Sequence, residues 1–273
     1  MTTFPRFLGA SLLILSGLLA GPAAAYDLKA QNERWESVRK GLFADRPISE
    51  DASGVLELEA PVRAFDAALV PVAIRSRLPQ ASPRHVRKVW LVIDGNPSPV
   101  GATFSFTPDS GRADIETRVR IEEYTHVRAI AELSDGQLVM AKRYVKASGG
   151  CSAPAGKDLA EALASIGKMK LKVEGEPVAG KPILAQLLVS HPNISGLAID
   201  QLTRLAPAPY FVRSVEVSYG GKPVLSADVD FTISENPSFR FYFVPKAEGE
   251  LKVQVVDSKD QKFESALAVR SQL

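Results

Sequence analysis

From Val86 to Val145 the chain is a series of β-rich runs, several alternating apolar and polar residues with a period of two, broken by turn residues, and this predicts short antiparallel strands. Val86 to Ile93 is a β-rich run closed by Asp94-Gly95-Asn96-Pro97, and Thr103 to Thr107 alternates around Phe104 and Phe106. The clearest case is Ile115 to Ile121, where Ile115, Thr117, Val119 and Ile121 share one face while Glu116, Arg118 and Arg120 share the other. Val127 to Leu133, the turn Ser134-Asp135-Gly136, and Leu138 to Val145 read as a hairpin. Before this region, Leu28, Trp35, Val38 and Leu42 are spaced for a helix over Leu28 to Phe43 that ends near Asp45-Arg46-Pro47.

Residues 147 to 156 contain only small side chains and one thiol, which predicts a linker. Asp158 then offers an N-cap for a short helix carrying Leu159, Leu163 and Ile166. Alternation returns at Ile183 to Val189, at Val215, Val217 and Tyr219 before Gly220-Gly221, and at Phe239, Phe241 and Phe243. It continues at Leu251, Val253 and Val255 and, after Asp257 to Asp260, at Phe263, Leu267 and Val269. The expected fold class is all-β: two immunoglobulin-like β-sandwich domains with a short N-terminal helix and a linker between them. The expected segments are 1–25, a signal peptide; 26–146, a first sandwich; 147–167, a flexible Cys-bearing linker and short helix; and 168–273, a second sandwich.

The signal-peptide expectation rests on Arg6, the apolar stretch Phe7 to Leu19, and the small residues Gly21 to Ala25. That stretch is shorter than the ~20 apolar residues needed to span a bilayer. The mature protein is therefore expected to be exported, periplasmic, and free of membrane contact after cleavage. Lys and Arg number 33 against 31 Asp and Glu, and the charges are mixed rather than gathered in a stripe. This argues against nucleic acid as a partner.

The chain has one cysteine, Cys151, so an internal disulfide is impossible. The thiol is buried and inert, joined to another molecule, or kept reactive, and a disulfide-linked dimer is one outcome of the second case. Gly149 and Gly150 precede it and let the backbone adopt positive φ at little steric cost. This setting predicts a solvent-exposed thiol on a pliable tether, open to capture by a partner. From Lys146 to Asp158 the extended contour is roughly 40 Å, and with both ends tethered the apex reaches about half of that. Lys146 and Lys157 flank the arm and would stabilise a thiolate modestly.

Other motifs carry less. Gly175 to Lys181 has phosphate-loop spacing, but Pro182 stands where a magnesium-binding hydroxyl belongs. Ser37 with Lys40 and Ser165 with Lys168 match only the short core of a serine acylase. His85, His126 and His191 fit no compact zinc spacing and read as surface or structural histidines, and there is no haem-attachment motif. Asn193-Ile194-Ser195 is a formal glycosylation sequon.

Val145 to Cys151 resembles the Gly-Gly-Cys arm of the sulfur-carrier subunit SoxY, and the second half resembles SoxZ. The SoxZ resemblance rests on Ser190 to Leu197, Val215 to Asp228 and Asn236 to Phe241. The whole is similar to single-chain SoxYZ-like carriers associated with quinoprotein dehydrogenases, including Asp45-Arg46-Pro47 and Asp94-Gly95-Asn96-Pro97. The resemblance implies a cofactor-free carrier with no active site of its own. Cys151 would hold covalent sulfur intermediates of thiosulfate oxidation, and Gly149 and Gly150 would be its hinge. Its partners would be periplasmic sulfur-oxidising enzymes or a quinoprotein dehydrogenase. In SoxY the arm ends in further glycines at a free C-terminus, whereas here Ser152-Ala153-Pro154 follows and the chain continues. The alternative expectation is a non-catalytic accessory or scaffold for a periplasmic quinoprotein dehydrogenase.

Overall fold

Alternation along the strands separates a core face from a solvent face, and the burial follows it residue by residue. Ile115, Thr117 and Val119 are buried while Glu116 and Arg118 are not, and Phe239, Phe241 and Phe243 are buried between half-exposed Ser238, Arg240 and Tyr242. The structure, a computed structural model, describes residues 28–154, 159–199, 203–246 and 248–272. The expected signal segment, Lys157 and the expected N-cap Asp158 lie outside the described residues.

Helix α1 (Leu28–Phe43) is followed by β1 (Ile48–Ser49), β2 (Leu56–Glu59), β3 (Val70–Ser76), β4 (Val86–Ile93), β5 (Val100–Phe106), β6 (Ile115–Val119), β7 (Thr125–Leu133) and β8 (Leu138–Val145). After the Cys151 segment come α2 (Leu159–Ala164), β9 (Met169–Glu174), β10 (Ile183–Val189), β11 (Val212–Tyr219), β12 (Lys222–Val229), β13 (Ser238–Phe243), β14 (Gly249–Asp257) and β15 (Lys262–Val269). Two immunoglobulin-like sandwiches result, as the alternation predicts. The first packs β1-β8-β7-β4-β5 over β2-β3-β6, and the second packs β12-β11-β14-β15 over β13-β10-β9.

The sandwiches are joined strand to strand. Antiparallel pairing of β5 with β12, from Phe106 opposite Leu225 to Ala102 opposite Val229, makes one nine-stranded sheet. On the other side, β6 pairs with β13 through Ile115 opposite Phe241 and Glu116 opposite Arg240, which makes one six-stranded sheet. The buried apolar side chains of both halves accordingly form a single cluster, with Phe104, Ile115, Phe241 and Val217 all in it. Neither half leaves an open strand edge at this seam, where unpaired backbone groups would invite aggregation.

A second cluster lies outside the nine-stranded sheet. Helix α1 lays Trp35 and Phe43 over Val92, Ile130, Leu138 and Met140, so β4 and β7 are covered on both faces. That double burial explains why Val86 to Ile93 reads as an apolar run instead of an alternation. Phe43 meets Trp90 edge to face with centroids 4.9 Å apart. Beneath the helix, Arg128 makes three hydrogen bonds of 2.8–2.9 Å to Asp94, and its guanidinium sits 4.3 Å from the centre of the Trp35 ring. The two side chains are 5% and 1% exposed.

Removing one partner of a buried ion pair strands the other charge. Arg128→Ala is expected to destabilise the fold by ~3–5 kcal/mol, read as a lower midpoint in urea unfolding. A change below ~1 kcal/mol contradicts the structural role given to this pair.

Candidate functional site

The end of β6 is fixed before the thiol reaches it. In the Asp94-Gly95-Asn96 turn, the Asn96 side chain accepts from the Glu122 N–H at 2.9 Å and donates to the Arg120 carbonyl at 2.8 Å. Arg120 reaches across the seam, donating through Nη1 to the Phe231 and Ile233 carbonyls at 2.9 and 2.8 Å. The Ile121 N–H donates to the Ala67 carbonyl at 2.9 Å. These bonds pin residues 120–122 between the loop after β2 and the loop after β12.

The cysteine segment lies on this platform. Lys146 pairs with the 62–64 loop, donating to the Val62 carbonyl at 2.9 Å and accepting from Ala64 at 3.1 Å. Gly149, with φ 80°, donates to the Glu122 carbonyl at 2.8 Å, and Gly150 donates to the Ile121 carbonyl at 2.9 Å. A Cβ on Gly150 would stand 2.0 Å from the Ala67 carbonyl oxygen and 2.8 Å from the Ile121 nitrogen. Gly149 therefore answers a requirement for positive φ, and Gly150 a requirement for close backbone approach. Beyond them, the Glu122 carboxylate accepts from the Cys151 and Ser152 N–H groups at 2.8 and 3.1 Å through Oε2, and from the Ser152 hydroxyl at 2.8 Å through Oε1. The Cys151 carbonyl accepts from the Ser195 hydroxyl of the second sandwich at 2.6 Å.

The expectation of an exposed thiol on a pliable tether is corrected by this geometry. Cys151 is 0% exposed, and residues 147–154 follow a defined path held by backbone and side-chain hydrogen bonds from both sandwiches. The small residues that suggested freedom serve close packing. Cys151 nonetheless belongs to neither apolar cluster. The segment that carries it is held by peptide groups and the polar side chains named above.

Burial pushes the thiol up to about 12, with the Glu122 and Asp230 carboxylates acting in the same direction and the Arg120 guanidinium against it. The sulfur is therefore neutral and weakly nucleophilic near pH 7. Lys146, expected to favour a thiolate, is not among the groups that govern it. Burial likewise raises the Asp230 carboxyl and lowers the Arg120 guanidinium.

Ser195 is positioned by a rigid strap from Ser190 to Gly196. Asn193, at φ 42° and fully buried, donates to the Ile233 carbonyl at 3.0 Å and accepts from the Val212 N–H at 3.0 Å. The formal sequon is thus inaccessible in the folded protein. His191 is buried beside it, accepting through Nδ1 from the Asn193 N–H at 3.1 Å, with Nε2 3.7 Å from Asp257 and the ring against Tyr210 at 4.7 Å. The Tyr210 hydroxyl donates to Asp257 at 2.8 Å. Burial holds His191 down at about 4, so it is neutral at pH 7.

The three histidines sit apart. His85 meets the Ser82 carbonyl at 2.9 Å, and His126 packs edge-on to Tyr144. Among the described residues no group of three or more His, Cys, Asp or Glu side chains is arranged for a metal ion. The phosphate-loop spacing from Gly175 to Lys181 joins the antiparallel strands β9 and β10, so no helix N-terminus follows it. Arg120, Glu122 and Ser195 are the residues that sequence patterns did not single out. Ser195 lay inside the Ser190 to Leu197 string, whereas Glu122 carried no signal beyond its place at a strand end.

Two outcomes follow. At pH 8 the native thiol is expected to react with iodoacetamide at least about a hundredfold more slowly than in denaturant, because a pKa near 12 in place of ~8.5 removes nearly all thiolate. Equal rates contradict the closed geometry. For His191, a folded pKa below the unfolded value means that the unfolded chain binds more protons between the two. Its contribution is then present above pH ~6.5 and lost as pH falls toward 4, by up to about 3 kcal/mol. Urea midpoints measured from pH 7 to 4 should fall less steeply in His191→Asn than in the unaltered protein.

No curated protein sequence matches the chain. The structure of the sulfur carrier protein SoxY from Chlorobium limicola f thiosulfatophilum is similar over 43% of this chain and 98% of its own, at 23% identity and a TM-score of 0.36. The superoxide reductase (neelaredoxin) E23A from Ignicoccus hospitalis is similar over 41% of this chain and 87% of its own, at 18% identity and a TM-score of 0.32. Residues 39–151, ending on Cys151 itself, match the family Sulfur oxidation protein SoxY, and residues 170–268 match Sulphur oxidation protein SoxZ. With both domains in one polypeptide, the chain belongs to these two families as a fused SoxYZ-like protein.

Proposed function

We propose that this protein is an exported, periplasmic carrier that holds sulfur intermediates covalently on Cys151 and presents them to sulfur-oxidising enzymes, without catalysing a reaction itself. The observation that carries the reading is the placement of the sole thiol at the last residue of the SoxY match, in a loop that lies against the SoxZ-like half through Ser195. A carrier thiol must be loaded, shielded and unloaded. The geometry supplies the shielding: the closed loop keeps Cys151 protonated and away from solvent.

Loading requires the loop to lift. Joining Cys151 Sγ to the terminal sulfur of thiosulfate forms one S–S bond, releases the thiol proton and passes two electrons to an electron-accepting partner. Val62 and Phe65, at 73% and 109% exposure, project from the loop whose Ala67 abuts Gly150. They form an apolar edge suited to docking such a partner beside the thiol.

A second reading is favoured by the burial itself. A cysteine at 0% exposure is equally at home in a non-catalytic accessory or scaffold for a periplasmic quinoprotein dehydrogenase. Intact-mass analysis of protein isolated from its native compartment separates the two. A carrier is expected to show sulfur or thiosulfate additions that vanish on reduction and in Cys151→Ser. An unmodified thiol in the presence of thiosulfate and the companion enzymes, with Cys151→Ser retaining full sulfur-oxidation phenotype, leaves the scaffold.

A further inference from the structure

Glu122 spends its carboxylate on the cysteine segment: Oε2 receives the Cys151 and Ser152 N–H groups, and Oε1 receives the Ser152 hydroxyl. Its own backbone completes the hold, since its carbonyl accepts from Gly149 and its N–H donates to Asn96. One residue thus grips positions 149, 151 and 152. Bonds to an ionised carboxylate are the strong class, whereas the Ser195 hydroxyl offers one neutral bond from the other side.

We infer that Glu122 is a positioning residue that latches the Cys151 segment closed. It holds the segment by its acceptor geometry and disfavours the thiolate by its charge, so that access to the sulfur is set by how often this latch lets go. The inference rests on the carrier reading for its purpose, but the latch itself is a property of the loop. Two roles predict two separable variants. Glu122→Ala removes acceptors and charge together. Glu122→Gln keeps a carbonyl for the two N–H groups and offers its amide N–H to the Ser152 oxygen, while deleting the charge.

When opening and closing are faster than labelling, alkylation measures the open fraction. At pH 8, Glu122→Ala is expected to label Cys151 about tenfold faster than the unaltered protein or more, with the urea midpoint lowered only by the matching weakening of the closed state, about 1.4 kcal/mol per tenfold. Faster amide exchange should be confined to the region around residues 149–152. Glu122→Gln is expected to fall between the two, because neutral hydrogen bonds are weaker than charge-assisted ones. Its thiol, followed by thiolate ultraviolet absorbance in the folded protein, should also ionise at a lower pH than in the unaltered protein, which a purely structural role would not produce. Glu264→Gln, on the exposed face of β15, serves as the control with unaltered labelling.

Labelling of folded Glu122→Gln at the unaltered rate and with unaltered thiol ionisation overturns the latch, whether or not Glu122→Ala folds. These readouts do not depend on cargo. Accelerated labelling with no sulfur ever found on Cys151 leaves the latch standing and removes the carrier; adducts on Cys151 with unaltered labelling in both variants do the reverse.

Discussion

Pairing of β5 with β12 and of β6 with β13 turns two small sandwiches into one body, and the position of the thiol depends on where that seam ends. A short strand pair is weak alone, but here the ladders run over a shared core containing Phe104, Ile115, Phe241 and Phe243. Sliding either ladder by one residue would exchange the core and solvent faces of every strand joined to it, so the register is strongly specified. Beyond Val119, the β6 strand meets the loop after β12: Val119 bridges Ile233, the Arg120 N–H donates to the Thr232 carbonyl, and the Arg120 guanidinium continues across. The Cys151 segment is laid on this last stretch, so its closed state draws on the stability of both halves.

That arrangement resolves the tension between a chemically useful thiol and a buried one. A low-pKa, exposed cysteine would oxidise or pair in an oxidising compartment. Here burial and two carboxylates keep the sulfur protonated, and the opposing Arg120 does not offset them. The segment is held by hydrogen bonds to peptide and polar groups, which water can replace when it opens, and Cys151 belongs to neither apolar cluster. A cysteine packed among the residues of the apolar clusters would have no comparable way out.

The helix and most strands were legible because their periodicity reports burial directly. Helix α1 starts and ends where Leu28, Trp35, Val38 and Leu42 place it, and β10 spans Ile183–Val189 as its pattern indicates. β3 was hidden by Pro71, which would break a strand paired along both edges; β2 pairs only with Ala73 to Ser76, so Pro71 is paired on one edge alone, opposite Arg118 of β6. β2 and β9 alternate in Leu-Glu-Leu-Glu and Met-Lys-Leu-Lys-Val-Glu, short runs in which charged residues are as many as apolar ones. The seam was illegible, because pairing between edges more than a hundred residues apart leaves no local period. At the site, Cys151 and its glycines stood out by composition, but glycine marks close approach as readily as freedom. Only the Ala67 carbonyl against Gly150 decides which.

Fusion of the halves changes what the cysteine segment can do. An arm with a free end swings about one attachment, whereas this one leaves β8 at Val145 and must return to β9 at Met169. Its motion is then a lift of a tethered loop, with reach bounded by the contour between its anchors. Because both anchors and both holding groups, Glu122 and Ser195, belong to the same chain, reclosure is intramolecular and needs no second subunit to rebind. The closed state is thereby recovered after each opening at a rate independent of protein concentration. On the proposed carrier reading, the burden of access would move from the length of the arm to the partner, which would have to bring its own reactive centre to the loop and compete with the carboxylate that holds it.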